Sequence, residues 1–174
     1  MGKSIRRLCK TVVIGLLFGS NLAAAQPFDR SEVSALLAKG HQAYREGNPE
    51  AALGFYEQAR NAMPKEALFH FFVASALARQ GRRDDCVVSL QTASGLAADK
   101  DLSLANRIAM FRGNLEESRQ RWEEAAAAYR EIATRGGIPT SVVSAAKARL
   151  EILAAREQFD KAYAPVRKRI ADSQ

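Results

Sequence analysis

Small residues recur in pairs twelve positions apart: Gly40 precedes Ala52, Ala74 precedes Cys86, and Gly113 precedes Ala125. A fourth pair, Leu150 and Ala162, keeps the interval but has leucine at its first place. From Asp29 onward apolar residues fall at spacings of three and four, with little of the strict alternation that marks strands, so the chain reads as all-α. Two antiparallel helices touch where a small side chain on one lets the backbone of the other approach to the lower end of the usual ~8–10 Å separation. The repeated coupling is a packing requirement, and it predicts a succession of helical hairpins. A plain helical bundle shares the apolar period but does not require the coupling.

Breaks in the pattern fall at Gly47-Asn48-Pro49, Met63-Pro64, Gly81-Arg82-Arg83, Ala97 to Asp101, Arg119 to Arg121, Gly136 to Pro139 and around Glu157-Gln158, which gives about eight helices. Local chemistry agrees with several of these ends. Asp29 followed by Glu32 is a capping-box pattern that starts the first helix. Gly47 suits a left-handed C-terminal cap, and Pro49 suits a first turn, where its missing N–H costs nothing. Asp84 and Asp85 place negative charge at a helix start, where the helix dipole favours it.

Four residues after each second small position comes a large side chain, Tyr56, Leu90, Tyr129 or Val166, on the same helix face. Ala59 and Ala93 keep the next turn narrow, and Pro64 closes the first unit. This pattern resembles the tetratricopeptide repeat, with its glycine, alanine, aromatic and proline positions spread over 34 residues. The units are Val33 to Glu66, Ala67 to Lys100, about 106–139 and about 143–170. The third contains Arg121-Trp122-Glu123-Glu124-Ala125 and arrives five residues late, an offset that a longer loop at Ala97 to Asp101 accounts for. The fourth keeps Phe159-Asp160-Lys161-Ala162 but has Pro165 inside its second helix, and so reads as a degenerate terminal unit. The resemblance implies a right-handed α-solenoid of about four hairpins, whose core becomes continuous only when about three or more units stack. Arg167, Lys168 and Arg169 give the last helix a polar outer face.

Ahead of the repeats, Lys3, Arg6, Arg7 and Lys10 precede an apolar stretch from Thr11 to Leu22 and the small residues Ala23, Ala24 and Ala25. That order is a secretory signal peptide over residues 1–25, with cleavage between Ala25 and Gln26. The stretch is too short and too broken by Gly15, Gly19 and Ser20 for a standard span of ~20 residues, although retention as an anchor is the alternative. An exported chain, periplasmic or secreted, is expected, with one domain over 26–174 and no span in its mature part. Cleavage removes four of the 26 Lys and Arg and none of the 19 Asp and Glu, leaving a net charge of +3, which does not call for a polyanion partner. Cys86 is then the sole cysteine, so no intramolecular disulfide can form, and its neighbours Val87, Val88 and Leu90 mark it as a buried small residue.

The histidines, His41 and His70, lie in different units and in no metal-ligand spacing, so neither a metal nor another cofactor is expected. No nucleophile elbow, phosphate loop or dinucleotide fingerprint occurs, and the chain reads as a non-enzyme. His41 and Glu117 are the best candidates for an accessory enzyme, but no base with an orienting partner is visible beside them. Aromatics are too few and scattered for a nucleic-acid groove.

In tetratricopeptide proteins the first helix of each unit builds a concave face. The resemblance places Leu37, His41, Tyr44 and Arg45 there from the first unit, Phe71, Ser75 and Arg79 from the second, and Arg107, Met110 and Asn114 from the third. Such a groove fits a protein or peptide partner with apolar anchors and some acidic character, although Leu37 and Phe71 could equally belong to the core. Some members grip a C-terminal carboxylate with a lysine and asparagine set. Asn114 sits suitably for that, but His41 replaces the expected asparagine and Leu37 the lysine. The run Leu68 to Val73 is apolar almost all round and marks a helix covered on both sides. The alternative role is a structural or self-associating subunit of an envelope assembly, using the convex face and ends.

Overall fold

A computed structural model describes residues 29–97 and 100–173. The expected signal peptide, with Ala25 and Gln26, lies outside the described residues. Seven helices are present among them: α1 Arg30–Arg45, α2 Pro49–Ala62, α3 Ala67–Arg79, α4 Arg83–Ala97, α5 Leu102–Ser118, α6 Trp122–Thr134 and α7 Thr140–Ala171. Helices α1/α2, α3/α4 and α5/α6 pair as antiparallel hairpins, each packs on the next, and α7 lies against α6.

Each hairpin turns by the same device. α1 runs into Gly47 at φ +78°, and the Asn48 N–H reaches back to the carbonyl of Ala43 (2.9 Å). α3 runs into Gly81 at φ +75°, with Arg82 N–H on Leu77 (3.0 Å), and α5 into Gln120 at φ +60°, with Arg121 N–H on Glu116 (2.9 Å). The left-handed residue bends the chain so that orphan carbonyls of the last turn are satisfied. Helix starts are capped by side chains: Asp29 accepts from Ser31 N–H (3.0 Å), Asn48 from Ala51 N–H (3.0 Å) and Asp101 from Leu104 N–H (2.9 Å).

The small pairs sit where the helices cross. Ala52, Ala74, Cys86 and Ala125 are wholly buried. A Cβ on Gly40 would stand 2.5 Å from Tyr56 Cε1, so the ring of α2 lies directly on the backbone of α1. Gly113 stands in the same relation to Tyr129. Burial pushes the Cys86 thiol up to about 11, which keeps it protonated and inert.

Two large apolar clusters make most of the core, with a small third of Val33, Ala59 and Phe69 between α1, α2 and α3. The first large one joins α1 to α5 around Tyr56, Phe71, Val73, Leu77, Leu90 and Ile108, and the second joins α5 to α7 around Tyr129, Ile132, Ala146 and Leu153. Helix α5 contributes to both and is their common wall. Polar clasps join successive hairpins at the turn ends: Arg79 donates to the Tyr44 carbonyl (2.9 Å), Gln80 to the Pro49 carbonyl (3.0 Å), Arg119 to Asp84 (2.6 Å), and Arg149 to Glu117.

The fourth unit departs from expectation. The turn expected at Glu157-Gln158 does not form, and α7 continues for 32 residues through Pro165. The region therefore holds seven helices rather than eight, and Ala162 and Val166, expected to pack in a second helix, are exposed. No glycine or cap interrupts Leu150 to Ala164, and Arg156–Asp160 (3.8 Å) and Glu157–Lys161 (2.5 Å) are i,i+4 pairs that support continued helix. The all-helical stack stands, with the last unit reduced to one long helix. No helix among the described residues is long and apolar enough to cross a membrane.

Candidate functional site

The first helices of the hairpins, with the start of α7, form one face. Three side chains hold equivalent places on it, each one residue beyond the small crossing position: His41, Ser75 and Asn114. None of them simply presents its polar atoms outward. His41 Nδ1 and the Tyr56 hydroxyl share a hydrogen bond (2.8 Å), and Tyr129 donates its hydroxyl to Asn114 Oδ1 (2.7 Å). Ser75 donates to the carbonyl of Phe71 on its own helix (2.9 Å).

Burial, and then the charge of Arg45, hold the His41 imidazole below its ordinary value of 6.5, and Phe72 meets its ring edge-on at 4.7 Å. The Tyr56 phenol is pushed up to about 12 by burial. Both shifts favour the neutral form of the side chain. Glu117, the other catalytic candidate, belongs to α5 and is bound to Arg149. Among the described residues no three His, Cys, Asp or Glu side chains converge as metal ligands.

Phe71, Arg107, Met110 and Asn114 come together. They line a cleft of about 630 Å³ between α3, α5, the α6–α7 loop and the first turns of α7. Phe71 is buried and meets Phe111 edge-on (5.8 Å), and the exposed Arg107 guanidinium lies 5.1 Å above the Phe71 ring. An arginine over an aromatic face is held without losing its hydration, so it stays available to an acidic group arriving from solvent.

The other expected groove residues lie toward α1. Leu37 is half-buried against the core, and Arg45 is exposed. Tyr44 carries the Arg79 guanidinium over its ring at 3.9 Å, which fixes that arginine on the α1–α3 joint. Of the three arginines, Arg107 is the one at the cleft.

Sequence reasoning missed the opposite wall, made by Leu102, Ile138 and Val142. Gly136 to Pro139 were legible only as a break. Their role arises because Gly137, at φ +74°, turns the loop back until its backbone faces Leu102. The apolar pair Ile138 and Val142 astride Pro139 was the available signal.

No family model and no curated protein matches the sequence. Solved structures do. The TPR domain of Arabidopsis OM64 superposes with a TM-score of 0.58 at 22% identity, over 70% of this chain and 95% of that one. The fold is that of the tetratricopeptide repeat. The first TPR of Spaghetti (RPAP3), bound to the HSP90 peptide SRMEEVD, gives 0.58 at 20% identity, over 72% of this chain and 98% of that one. The N-terminal domain of stress-induced protein-1 from C. elegans gives 0.58 at 18%, over 70% and 98%. The cleft beside Phe71 lies between α3 and α5, the first helices of consecutive hairpins.

Proposed function

We propose that this chain is a non-catalytic, exported TPR adaptor that holds an extended peptide of a protein partner in the cleft between α3, α5 and the α6–α7 loop. The observation that carries the reading is the pairing of an apolar floor, Phe71, Met110 and Phe111, with the exposed Arg107 at its rim. Such a site takes one apolar side chain and an acidic group beside it. Pockets of this size are commonly lined by apolar side chains with a few polar groups that fix orientation. The peptide complex of the Spaghetti domain shows that a stack of this fold can carry a peptide ending in Glu-Val-Asp. The ligand set differs here, because Asn114 and His41 are engaged by tyrosines and Leu37 offers no charge. An apolar anchor, rather than a terminal carboxylate, is the dominant recognition element. Export rests on the order of basic, apolar and small residues in 1–25.

The test is selection of peptides on purified protein from a displayed random library. Enrichment of sequences with an apolar residue beside Asp or Glu is expected, and Met110→Glu should reduce their affinity by about tenfold or more. Arg107→Glu should weaken acidic peptides specifically and flatten the salt dependence of binding. Peptides that bind both variants unchanged would place the partner elsewhere.

A further inference from the structure

Burying a polar side chain is costly unless its hydrogen bonds are met, and among the described residues Asn106 and Glu116 are the polar side chains so buried. Glu116 lies between Arg119 (3.5 Å) and Arg121 (3.7 Å) at the α5–α6 turn, where opposite charge accounts for it. Asn106 is different. It stands in the first half of α5, is 5% exposed, and lines the cleft beside Phe71 and Arg107.

A chain of ionic bonds runs to it from behind. Asn106 Oδ1 accepts from Arg135 Nη1 (2.8 Å) at the end of α6. Arg135 Nη2 donates to Glu131 (2.5 Å), and Glu131 in turn accepts from Arg112 (2.5 Å). A guanidinium only donates, so the atom it faces must be the amide oxygen, and this fixes which way round the Asn106 amide stands. The Nδ2 donors then have no partner among the described residues, yet they are not sealed off, because Glu116 Oε2 is the sole side-chain atom there that is both buried and unpartnered. Their opening is the cleft that Asn106 lines. A mere clasp between α5 and α6 would need the oxygen alone, and an aspartate would supply it with a stronger, charge-assisted bond to Arg135. What asparagine adds is an amide donor, and no protein group uses it.

We propose that Asn106 is a main-chain anchor of the cleft: its Nδ2 donates to a backbone carbonyl of an extended peptide, while Phe71 and Met110 take the adjacent apolar side chain. The inference rests on the peptide reading of this cleft and adds to it a contact that holds the strand whatever its sequence. Arg135 already fixes the amide, so little side-chain freedom is lost when the peptide arrives. Met110 follows Asn106 by one helical turn, about 6 Å along α5, and an extended peptide advances ~3.3 Å per residue. The gripped carbonyl therefore lies within about two residues of the apolar anchor.

Calorimetric titration of the full chain tests this with a heptapeptide selected on the protein and capped at both ends. Each peptide bond in turn is replaced by an ester, which weakens that carbonyl as an acceptor. One ester, within two residues of the apolar anchor, should weaken binding to the wild type about three- to tenfold. The same ester should make no difference to Asn106→Ala or to Asn106→Asp. The aspartate retains the acceptor for Arg135, so its denaturation midpoint should not fall, which separates a lost donor from a lost clasp. If no ester near the anchor weakens wild-type binding, or if it costs both variants as much as the wild type, the inference is overturned; the peptide reading then survives as long as Met110→Glu still weakens the parent peptide. Peptides indifferent to Met110→Glu overturn both.

Discussion

The first and third hairpins close on a tyrosine, and the second closes on a leucine. In the outer two, Tyr56 and Tyr129 lie flat on the glycine backbones at 40 and 113 and extend their hydroxyls to His41 and Asn114 on the groove side. In the middle one, Leu90 and Ala74 are both fully buried in one apolar cluster, and Ser75 bonds back to its own helix. The difference teaches how the stack divides its work. The middle hairpin fills its crossing with an apolar side chain alone, whereas the first and third use an aromatic ring long enough to cross the helix and a polar tip that sets the groove surface. Packing between paired helices and the geometry of the concave face are thus coupled in the outer units and separate in the central one.

Breaking that comparison starts with the third hairpin. Gly113→Ala forces the Tyr129 ring off the backbone and should cost about 2–3 kcal/mol, read as a lower chemical-denaturation midpoint. Adding Tyr129→Leu installs the combination that the second hairpin uses. The double variant should recover at least about 1 kcal/mol relative to the sum of the two single ones. Strict additivity would mean that glycine and tyrosine are not a matched pair. Next, Gln120 occupies the left-handed position that Gly47 and Gly81 hold in the other turns. Gln120→Gly should stabilise by about 0.5–1 kcal/mol, whereas Gly47→Ala or Gly81→Ala should destabilise by a similar amount.

The smallest effect separates the first hairpin from the third by pH. Because the folded His41 is held below its ordinary 6.5, mainly by burial, the unfolded chain takes up its proton first on acidification. Stability is unaffected well above that value, falls as pH drops from about 7, and levels off below the folded value. His41→Asn, which copies the third hairpin, should remove this part of the slope in thermal melts between about pH 7 and pH 5 and retain the contact with Tyr56. An unchanged slope would assign it to other groups.

Much of the stack was legible because its signal is local. Small residues twelve apart, and glycines at 47 and 81, report contacts and turns that the chain makes within one hairpin. The fourth turn was not legible for the same reason in reverse. The repeat demanded a turn near Glu157, but no residue there can make one, and the ion pairs of Arg156 and Glu157 with the following turn continue the helix. The groove was half legible. Phe71, Arg107, Met110 and Asn114 share the cleft, but Arg79 is taken by Tyr44, thirty-five residues away, and the wall at Ile138 depends on how a loop folds back. Such partners depend on tertiary geometry, which periodicity does not encode.

Helix α5 walls the two large apolar clusters, and this fixes an order of events as the chain is made. Phe71 emerges from the ribosome forty residues before Phe111, the ring that covers it. At ordinary synthesis rates of ~5–20 residues per second the first two hairpins spend roughly 2–8 seconds with that aromatic face open. A nascent chain shorter than α5 therefore keeps that apolar surface open, and loses it only when the fifth helix arrives.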